Sequence, residues 1–529
     1  MWGKHLSFLD SSHDKSLEFG TIYTSQDFVA LYPNKGQPAL APWRLALVTV
    51  FQFLENLTDR QAAQAVLTRL DWKYALSLEI TDQSFDFTVL SEFRACLIAG
   101  NAEHRLLEKM LDSFRERGLL KMRGNQRTDA THVLCSVRCL NRLELVGETL
   151  RAGLNDLARV APEWLMPRMQ ARWLDWFVHR VEEYRLVKGQ EAREAQAINI
   201  GQDGFELLEA LKHDQTTQGW LERPALRALT RIWDQQYERL DGKVCWRQST
   251  KLQSGRAHSP FDLEACYGTK RDKSWVGYKV LLSEMCDDNT PNIITNVLVT
   301  KASAQDMLAA KLVHKRLEQN KILPNQHFLD AGYVSVGLVL ASRELGVEVI
   351  GPMLHSSTWQ ERAGKGFALD DFKIDWSQQR VTCPRGKCSK PWIESLSEQG
   401  LPVIHAEFSR QDCGRCRSKR NCTKAKRLGR ELTFRPREAH ELLREGRVRQ
   451  ATVEWKELYA KRAGIEGTVS QSVRSLGLRV TRYRGMGKTR LRAVATATGL
   501  NVARVFAWLD GQPRAQARVP RFARLMVKA

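Results

Sequence analysis

The chain has no apolar run approaching the 18 or more residues that a membrane-spanning helix needs. Met1 to Glu18 is polar and lacks the continuous apolar stretch of a secretion signal. No internal repeat is visible. Acids are short relative to bases, 60 Asp plus Glu against 81 Lys plus Arg. The eleven cysteines are an odd number for a framework of paired disulfides. These absences speak against a membrane protein, a solenoid and a secreted disulfide scaffold, and the expected location is cytoplasmic. Clustered cysteines in a reducing compartment suggest metal before disulfides.

What is present is size, a core and positive charge. A length of 529 residues suggests several domains, and 43% hydrophobic residues suffice for a packed interior. The formal charge is +21 and the pI about 9.6. Such a charge points to partners rather than to fold, nucleic acid first and membrane surfaces second. It is also unevenly spread. From Gly467 to the end there are thirteen basic residues and one acid, Asp510; from Arg410 to Arg430 there are nine and one, Asp412. A basic run is ordinarily a solvated face, but two concentrations in one basic chain favour phosphate contact.

The pattern along the chain begins all-helical. Pro42 opens a helix, Thr58 and Gln61 form a capping box for another over Asp59–Leu70, and helical periodicity continues through Val89–Ala99 and Glu103–Glu116. Gln126 to Val137 reads as a strand. Helices then run from about Asn141 to Asp241. Strands are expected at Trp275–Met285 and Ile293–Thr300, a helix over Ser303–Gln319, a strand at His327–Asp330, a helix over Val334–Leu345 and a strand at Val347–Pro352. This alternation predicts a mixed α/β sheet covered by helices. A polar, cysteine-bearing block follows. Pro436 then signals one strong helix from Arg437 to about Arg474, and a last helix spans about Arg490–Leu509.

Three carboxylates stand in distinct contexts: Asp129 in the strand Arg127–Thr131, Asp330 at a strand end before Ala331-Gly332-Tyr333, and Glu466 on the long helix. Strand ends are where open α/β folds place their sites. At helical spacing Tyr459 and Arg462, seven and four residues earlier, share a face with Glu466. Three converging acids could hold two Mg²⁺ ions, which take hard oxygen ligands and serve phosphodiester chemistry. Asp262, Asp272, Asp287 and Asp288 are rival acids. Tyr459 and Arg462 also read as a helix-surface aromatic and an ion pair to Glu466.

Cys383, Cys413, Cys416 and Cys422, with the CxxC of Cys413 and Cys416 among them, are candidate ligands of a structural zinc; Cys388 is a fifth candidate, and free thiols are the alternative. Gly485-Met486-Gly487-Lys488-Thr489 superficially suggests a phosphate loop, but Arg482 stands where that motif needs glycine, so no nucleotide cofactor is expected. Lys488 and Arg490 read better as DNA-backbone contacts. Lys270-Arg271-Asp272-Lys273 beside Trp275 interleaves cations with an aromatic, as suits nucleic acid, or is a solvated turn.

Several stretches resemble bacterial insertion-sequence transposases of the DDE type. They are Arg127-Thr128-Asp129-Ala130-Thr131-His132-Val133, Asn141-Arg142-Leu143-Glu144-Leu145-Val146, Asp262-Leu263-Glu264-Ala265 through Tyr267-Gly268-Thr269-Lys270, Gly277-Tyr278-Lys279, Ile294-Thr295-Asn296-Val297 and Asp330-Ala331-Gly332-Tyr333. Tyr459-x-x-Arg462-x-x-x-Glu466 resembles the Tyr-Arg-Glu signature of one large group. In that signature a Lys stands where this chain has Val473, with Arg474 beside it.

The resemblance implies an RNase H-like core. It implies Asp129, Asp330 and Glu466 as catalytic ligands of Mg²⁺ or Mn²⁺, and Tyr459 and Arg462 at DNA. Lys270, Arg271, Lys273, Lys279, Arg474, Lys488 and Arg490 are further candidate DNA contacts. The expected organisation is a helical DNA-end-binding region over 1–120 and the first part of the core over 121–356, with a helical insertion at about 141–250. A basic cysteine insertion over 357–432, a catalytic helix over 433–476 and a basic helical tail over 477–529 complete it. The implied activity is cleavage at insertion-sequence ends and strand transfer into target DNA. The partner would be double-stranded DNA, bound by a homodimer in the nucleoid. The alternatives are a non-catalytic DNA-binding protein derived from a transposase and a plain metal-dependent nuclease.

Overall fold

Helix signals near the N-terminus are realised residue by residue. The computed structural model describes residues 22–32, 40–251, 255–270, 272–353, 358–397 and 400–513. Arg271, a candidate contact, lies outside them. Helices α1 (Pro42–Leu54), α2 (Asp59–Thr68), α3 (Leu70–Ala75), α4 (Thr88–Ala99) and α5 (Arg105–Glu116) form in succession. α2 starts at the expected box: Gln61 N–H donates to Thr58 Oγ1 at 3.3 Å, and Thr58 N–H donates to Gln61 Oε1 at 2.9 Å. The chain divides into two units, residues 1–324 with 463–529 and residues 325–462.

In the first unit β1 (Gln126–Leu134) is followed by α6 (Arg142–Val160), α7 (Gln190–His213) and α8 (Pro224–Gln236). Their apolar faces close a separate core around Leu150, Leu208, Ile232 and Trp233. A hairpin, β2 (Tyr237–Leu240) and β3 (Lys243–Trp246), ends this helical insertion. Then come β4 (Cys266–Lys270), β5 (Lys273–Met285), β6 (Ile294–Lys301) and α9 (Asp306–Gln319). β5 organises the sheet: it pairs antiparallel with β1, β4 and β6. All β5 residues from Val280 to Met285 are buried, as expected of a strand covered on both faces.

The second unit opens with β7 (Gln326–Phe328), α10 (Val336–Glu344) and β8 (Glu348–Ile350), in which β7 and β8 pair in parallel across a helical crossover. The cysteine block is not a structureless insertion. It contains β9 (Lys373–Asp375) paired with β10 (Arg380–Thr382), and a meander of β11 (Trp392–Leu396), β12 (Pro402–Glu407) and β13 (Glu431–Phe434). Between β12 and β13 lie two short helices, α11 (Arg410–Gly414) and α12 (Lys419–Cys422). Its core is Phe372, Val381, Ile404, Ala406, Phe408, Leu432 and Phe434.

The single helix expected over Arg437–Arg474 is corrected by the structure. α13 (Arg437–Arg449) and α14 (Val453–Ala460) are separate, because Thr452 takes an extended conformation and its Oγ1 caps Trp455 N–H at 3.2 Å. A 3₁₀ turn over Lys461–Ala463 leads into α15 (Gly464–Leu476), which belongs to the first unit. The final helix, α16 (Met486–Leu509), starts four residues earlier than expected. It is no exposed tail. Leu491 to Val502 are buried throughout, and α16 packs against α1, α4, α5 and β6. Asn501 clamps β6, accepting from Ile294 N–H at 2.7 Å and donating to Ile294 O at 2.8 Å. The whole is a mixed α/β architecture.

Candidate functional site

Asp129 sits within β1, half-buried, opposite Leu282 of β5. Its Oδ1 accepts the N–H of Ala130 at 2.7 Å. Side chains alternate along a strand, so Arg127, Asp129 and Thr131 share one face of β1. That face meets α15 and the segment behind it. Arg479 Nε donates to Thr131 Oγ1 at 3.2 Å, and Gly464 lies so close that a Cβ there would stand 1.9 Å from Arg127 Nη1. A side chain at Gly464 would therefore push the Arg127 guanidinium aside where α15 lands on β1.

α15 is fastened by a buried polar cluster. Glu284 of β5, wholly enclosed, accepts from Arg127 Nε at 2.7 Å and from Arg504 Nη1 at 3.0 Å. Thr468 Oγ1 also donates to it, and Arg504 Nη2 donates to Thr468 Oγ1 at 2.7 Å. Two guanidiniums thus neutralise one buried carboxylate, as a charge in such a place requires. Glu466 is in the first turn of α15 and exposed, beside the buried Ile465 and Thr468.

In the second unit Asp330 follows β7. Its Oδ1 accepts Ala331 N–H at 2.9 Å, and its Oδ2 lies 3.8 Å from Arg462 Nη2. Arg462 is largely enclosed while Asp330 is about half exposed, their side chains 14% and 47% accessible. Tyr459 stacks on Trp455, one turn earlier on α14, with centroids 4.8 Å apart and planes 15° apart. The expected continuous helix is interrupted here: Tyr459 is the penultimate residue of α14, Arg462 lies in the 3₁₀ turn and Glu466 is in the first turn of α15.

The rival acids have other occupations. Asp262 accepts from Tyr278 Oη at 2.7 Å and from Gly485 N–H at 3.0 Å, while Glu264 accepts Met486 N–H at 2.8 Å. These two carboxylates cap the start of α16, so the amides of the glycine-rich stretch already serve the fold. Asp287 is buried and holds Asn125 N–H at 2.9 Å. Asp272 and Asp288 are exposed.

The candidate DNA contacts fall into two groups. Lys270 and Lys273 face each other, exposed, at the tip of the β4–β5 hairpin, and Arg474 and Lys488 are also exposed. Lys279 instead donates to Ala304 O and Asp306 Oδ1, both at 2.8 Å, and Arg490 pairs with the buried Glu103 at 3.0 Å. Trp275 is buried, its Nε1 donating to Tyr278 O at 3.1 Å, so it presents no stacking face. The exposed aromatic of the hairpin is Tyr267, 48% accessible, which the sequence reading missed. Its alternation with buried Cys266 and Gly268 was the available signal. Burial and the nearby cations Arg479, Lys273 and Lys270 hold His132 below the usual histidine value.

Four of the five candidate cysteines come together. Cys383, Cys413, Cys416 and Cys422 line one cavity of about 40 Å³. Cys388 is exposed, its Sγ 3.7 Å from Thr382 Oγ1. Among the described residues no three His, Cys, Asp or Glu side chains are grouped as ligands of a metal ion, and no helix is long and apolar enough to cross a membrane.

Residues 382–506 match the Transposase DDE domain family, and residues 7–96 match the Transposase domain family DUF772. The first match contains Tyr459, Arg462, Glu466 and the four clustered cysteines; Asp129 and Asp330 lie outside both. No curated protein matches. Among solved structures, the piggyBac transposase in a cryo-EM synaptic complex with hairpin DNA aligns at 9% identity and a TM-score of 0.26. That alignment covers 98% of this chain and 78% of that one, at a distance too great to define a shared fold. Two transposase family models thus match separate parts of the chain, and together these matches support an insertion-sequence transposase of the DDE type.

Proposed function

We propose that the chain cuts DNA at the ends of an insertion sequence and joins the freed ends to target DNA. One observation carries this reading: Tyr459-x-x-Arg462-x-x-x-Glu466 lies inside the segment that matches the DDE domain family, while a second transposase family matches the N-terminal helices. In this proposal the core is RNase H-like, and the N-terminal helices recognise the ends. Double-stranded DNA is held by a homodimer in the cytoplasm, at the nucleoid.

Asp129, Asp330 and Glu466 would hold Mg²⁺ or Mn²⁺, for which their hard carboxylate oxygens are suited. The bound ions would neutralise phosphate charge and lower the pKa of the attacking water or 3′-hydroxyl. The chain's own residues orient the acids. Arg462 places a positive charge beside Asp330 and would offer a guanidinium fork to a phosphate. The Glu284 cluster seats the helix that bears Glu466. The Trp455–Tyr459 stack stiffens the helix end next to Arg462. Lys270, Lys273, Arg474 and Lys488 are the exposed cations that would meet the DNA backbone.

The competing reading is a transposase-derived protein that binds DNA without cutting it. Incubating the full chain with Mg²⁺ or Mn²⁺ and DNA carrying its flanking inverted repeats separates the two. Cleavage that is abolished by Asp330→Ala, with end-binding retained, is the expected result. Cleavage that survives Asp330→Ala removes the carboxylate assignment, and absence of cleavage in the unaltered chain supports the binding protein. Joining of a labelled end to plasmid distinguishes strand transfer from plain nuclease action.

A further inference from the structure

We propose that Cys383, Cys413, Cys416 and Cys422 form a tetrathiolate site for a structural Zn²⁺ that pins the basic α11–α12 segment to the β9–β10 hairpin. The four residues come from separate places: the turn after β10, α11, the turn behind it and the end of α12. Thirty-nine positions separate the first from the last, yet all four line one cavity of about 40 Å³. The other cysteine of the block, Cys388, does not line it.

The backbone around two of the sulfurs is already arranged for thiolates. Cys383-Pro384-Arg385-Gly386-Lys387 folds into a tight turn in which Gly386 N–H donates to Cys383 O at 2.8 Å, and Lys387 N–H points back to Cys383 Sγ at 3.4 Å. Gly386 has φ +79°, a conformation that other residues adopt only under strain. Arg430 N–H points to Cys413 Sγ, also at 3.4 Å. Amides aimed at sulfur support the charged thiolate more than the thiol.

The walls suit an anionic centre. Four thiolates around Zn²⁺ carry a net negative charge, and Arg385, Lys387, Lys419 and Arg430 line the same cavity. Each thiol gives up its proton to solvent on binding, and the zinc–sulfur bonds replace the sulfur–hydrogen bonds. The four residues line the void without forming a closed ligand set. A zinc–thiolate bond is ~2.3 Å long, and the four residues that would supply it sit on two short helices and two turns.

The segment has a reason to need such a pin. Arg410 to Arg430 carries nine bases and one acid, so its own charges push it apart. Its apolar attachments to the core of the block include Cys413 and Cys422 themselves. Polar links already bridge the same pieces, Arg385 Nη2 to Ser418 Oγ at 2.7 Å and Lys387 Nζ to Asp412 Oδ1 at 3.3 Å.

The test is independent of DNA cleavage. The reduced full-length chain, stripped by a chelator, is titrated with Co²⁺ alone. Thiolate-to-metal charge-transfer absorption saturating at one ion per chain, and lost on adding Zn²⁺, is expected. Oxygen ligands bind Co²⁺ without that absorption. Cys413→Ser and Cys422→Ser should each abolish the band, whereas Cys388→Ser should leave it intact. Alkylation of the unaltered chain gives a second readout that does not depend on how the variants fold: Zn²⁺ should protect Cys383, Cys413, Cys416 and Cys422. No charge-transfer band at saturating Co²⁺, a band that survives Cys413→Ser, or protection of other cysteines instead would overturn the proposal.

Discussion

Arg127 and Glu284 face each other across neighbouring strands, and the guanidinium meets the fully buried carboxylate at 2.7 Å. Because Thr468 and Arg504 hold the same carboxylate, one side chain ties β1, β5, α15 and α16 together. Removing it leaves two guanidiniums without their counter-charge. Glu284→Ala should therefore destabilise the chain by about 3–5 kcal/mol, read as a lower urea midpoint. A loss below about 1 kcal/mol would show that the cluster does not fasten α15.

The hairpin tip offers a second measurement. Lys270 and Lys273 are exposed, whereas Lys279 is held by Asp306. If they neutralise phosphates, the double change Lys270→Glu with Lys273→Glu should weaken binding to all DNA sequences alike. The slope of log K against log salt should become shallower by about 0.9 per lost contact. An unchanged slope would return these lysines to solvent. Lys279→Ala should act mainly on stability, through the start of α9.

Acid should destabilise the fold partly through His314. Burial pushes its pKa from 6.5 down to about 4. The folded value lies below the unfolded one, so the unfolded chain takes up the proton first. Stability is then fully present above pH 6.5 and falls as the pH drops toward 4, by at most about 1.4 kcal/mol per pH unit. Chemical denaturation of His314→Gln across that window should give a flatter profile than the unaltered chain. Identical profiles would count against a buried neutral histidine.

The glycine-rich stretch before Lys488 leads to an expectation about nucleotides. Gly485 and Met486 amides are taken by Asp262 and Glu264, whose charge also repels phosphate. Adding ATP with Mg²⁺ should leave the melting temperature where it was. Asp262→Ala should lower stability by about 1–3 kcal/mol, since it uncaps α16 and strands the buried Tyr278 hydroxyl. A nucleotide-induced rise in melting temperature would contradict this account.

Local signals in the sequence were legible where one residue decides the outcome. Thr58 with Gln61 started α2 as read, and the alternation around Tyr278 and Val280 marked β5. Thr452 carries the same kind of capping signal, yet the strong helical pattern on either side masked it, and three helices were read as one. The interior role of α16 left almost no trace, because Ala493, Ala495, Ala497, Thr496 and Thr498 bury little apolar area each and so give a weak hydrophobic stripe. Asp129 stood out only by resemblance; its neighbours on the sheet face, Arg127 and Thr131, acquire meaning from α15, far along the chain. The four cysteines that line one cavity are the four read from the sequence, with Cys388, the fifth candidate, outside it.

The placement of α16 also bears on how the chain is made. Its partners α1, α4 and α5 leave the ribosome several hundred residues before it does, and at ordinary synthesis rates of about 5–20 residues per second that is a wait of tens of seconds. During that interval the early helices present an apolar face with nothing to cover it, while the 325–462 unit has the chance to fold on its own. The first unit can close only after α16 itself has emerged. A nascent chain stalled before Met486 should thus be a strong chaperone client, however complete its sheet.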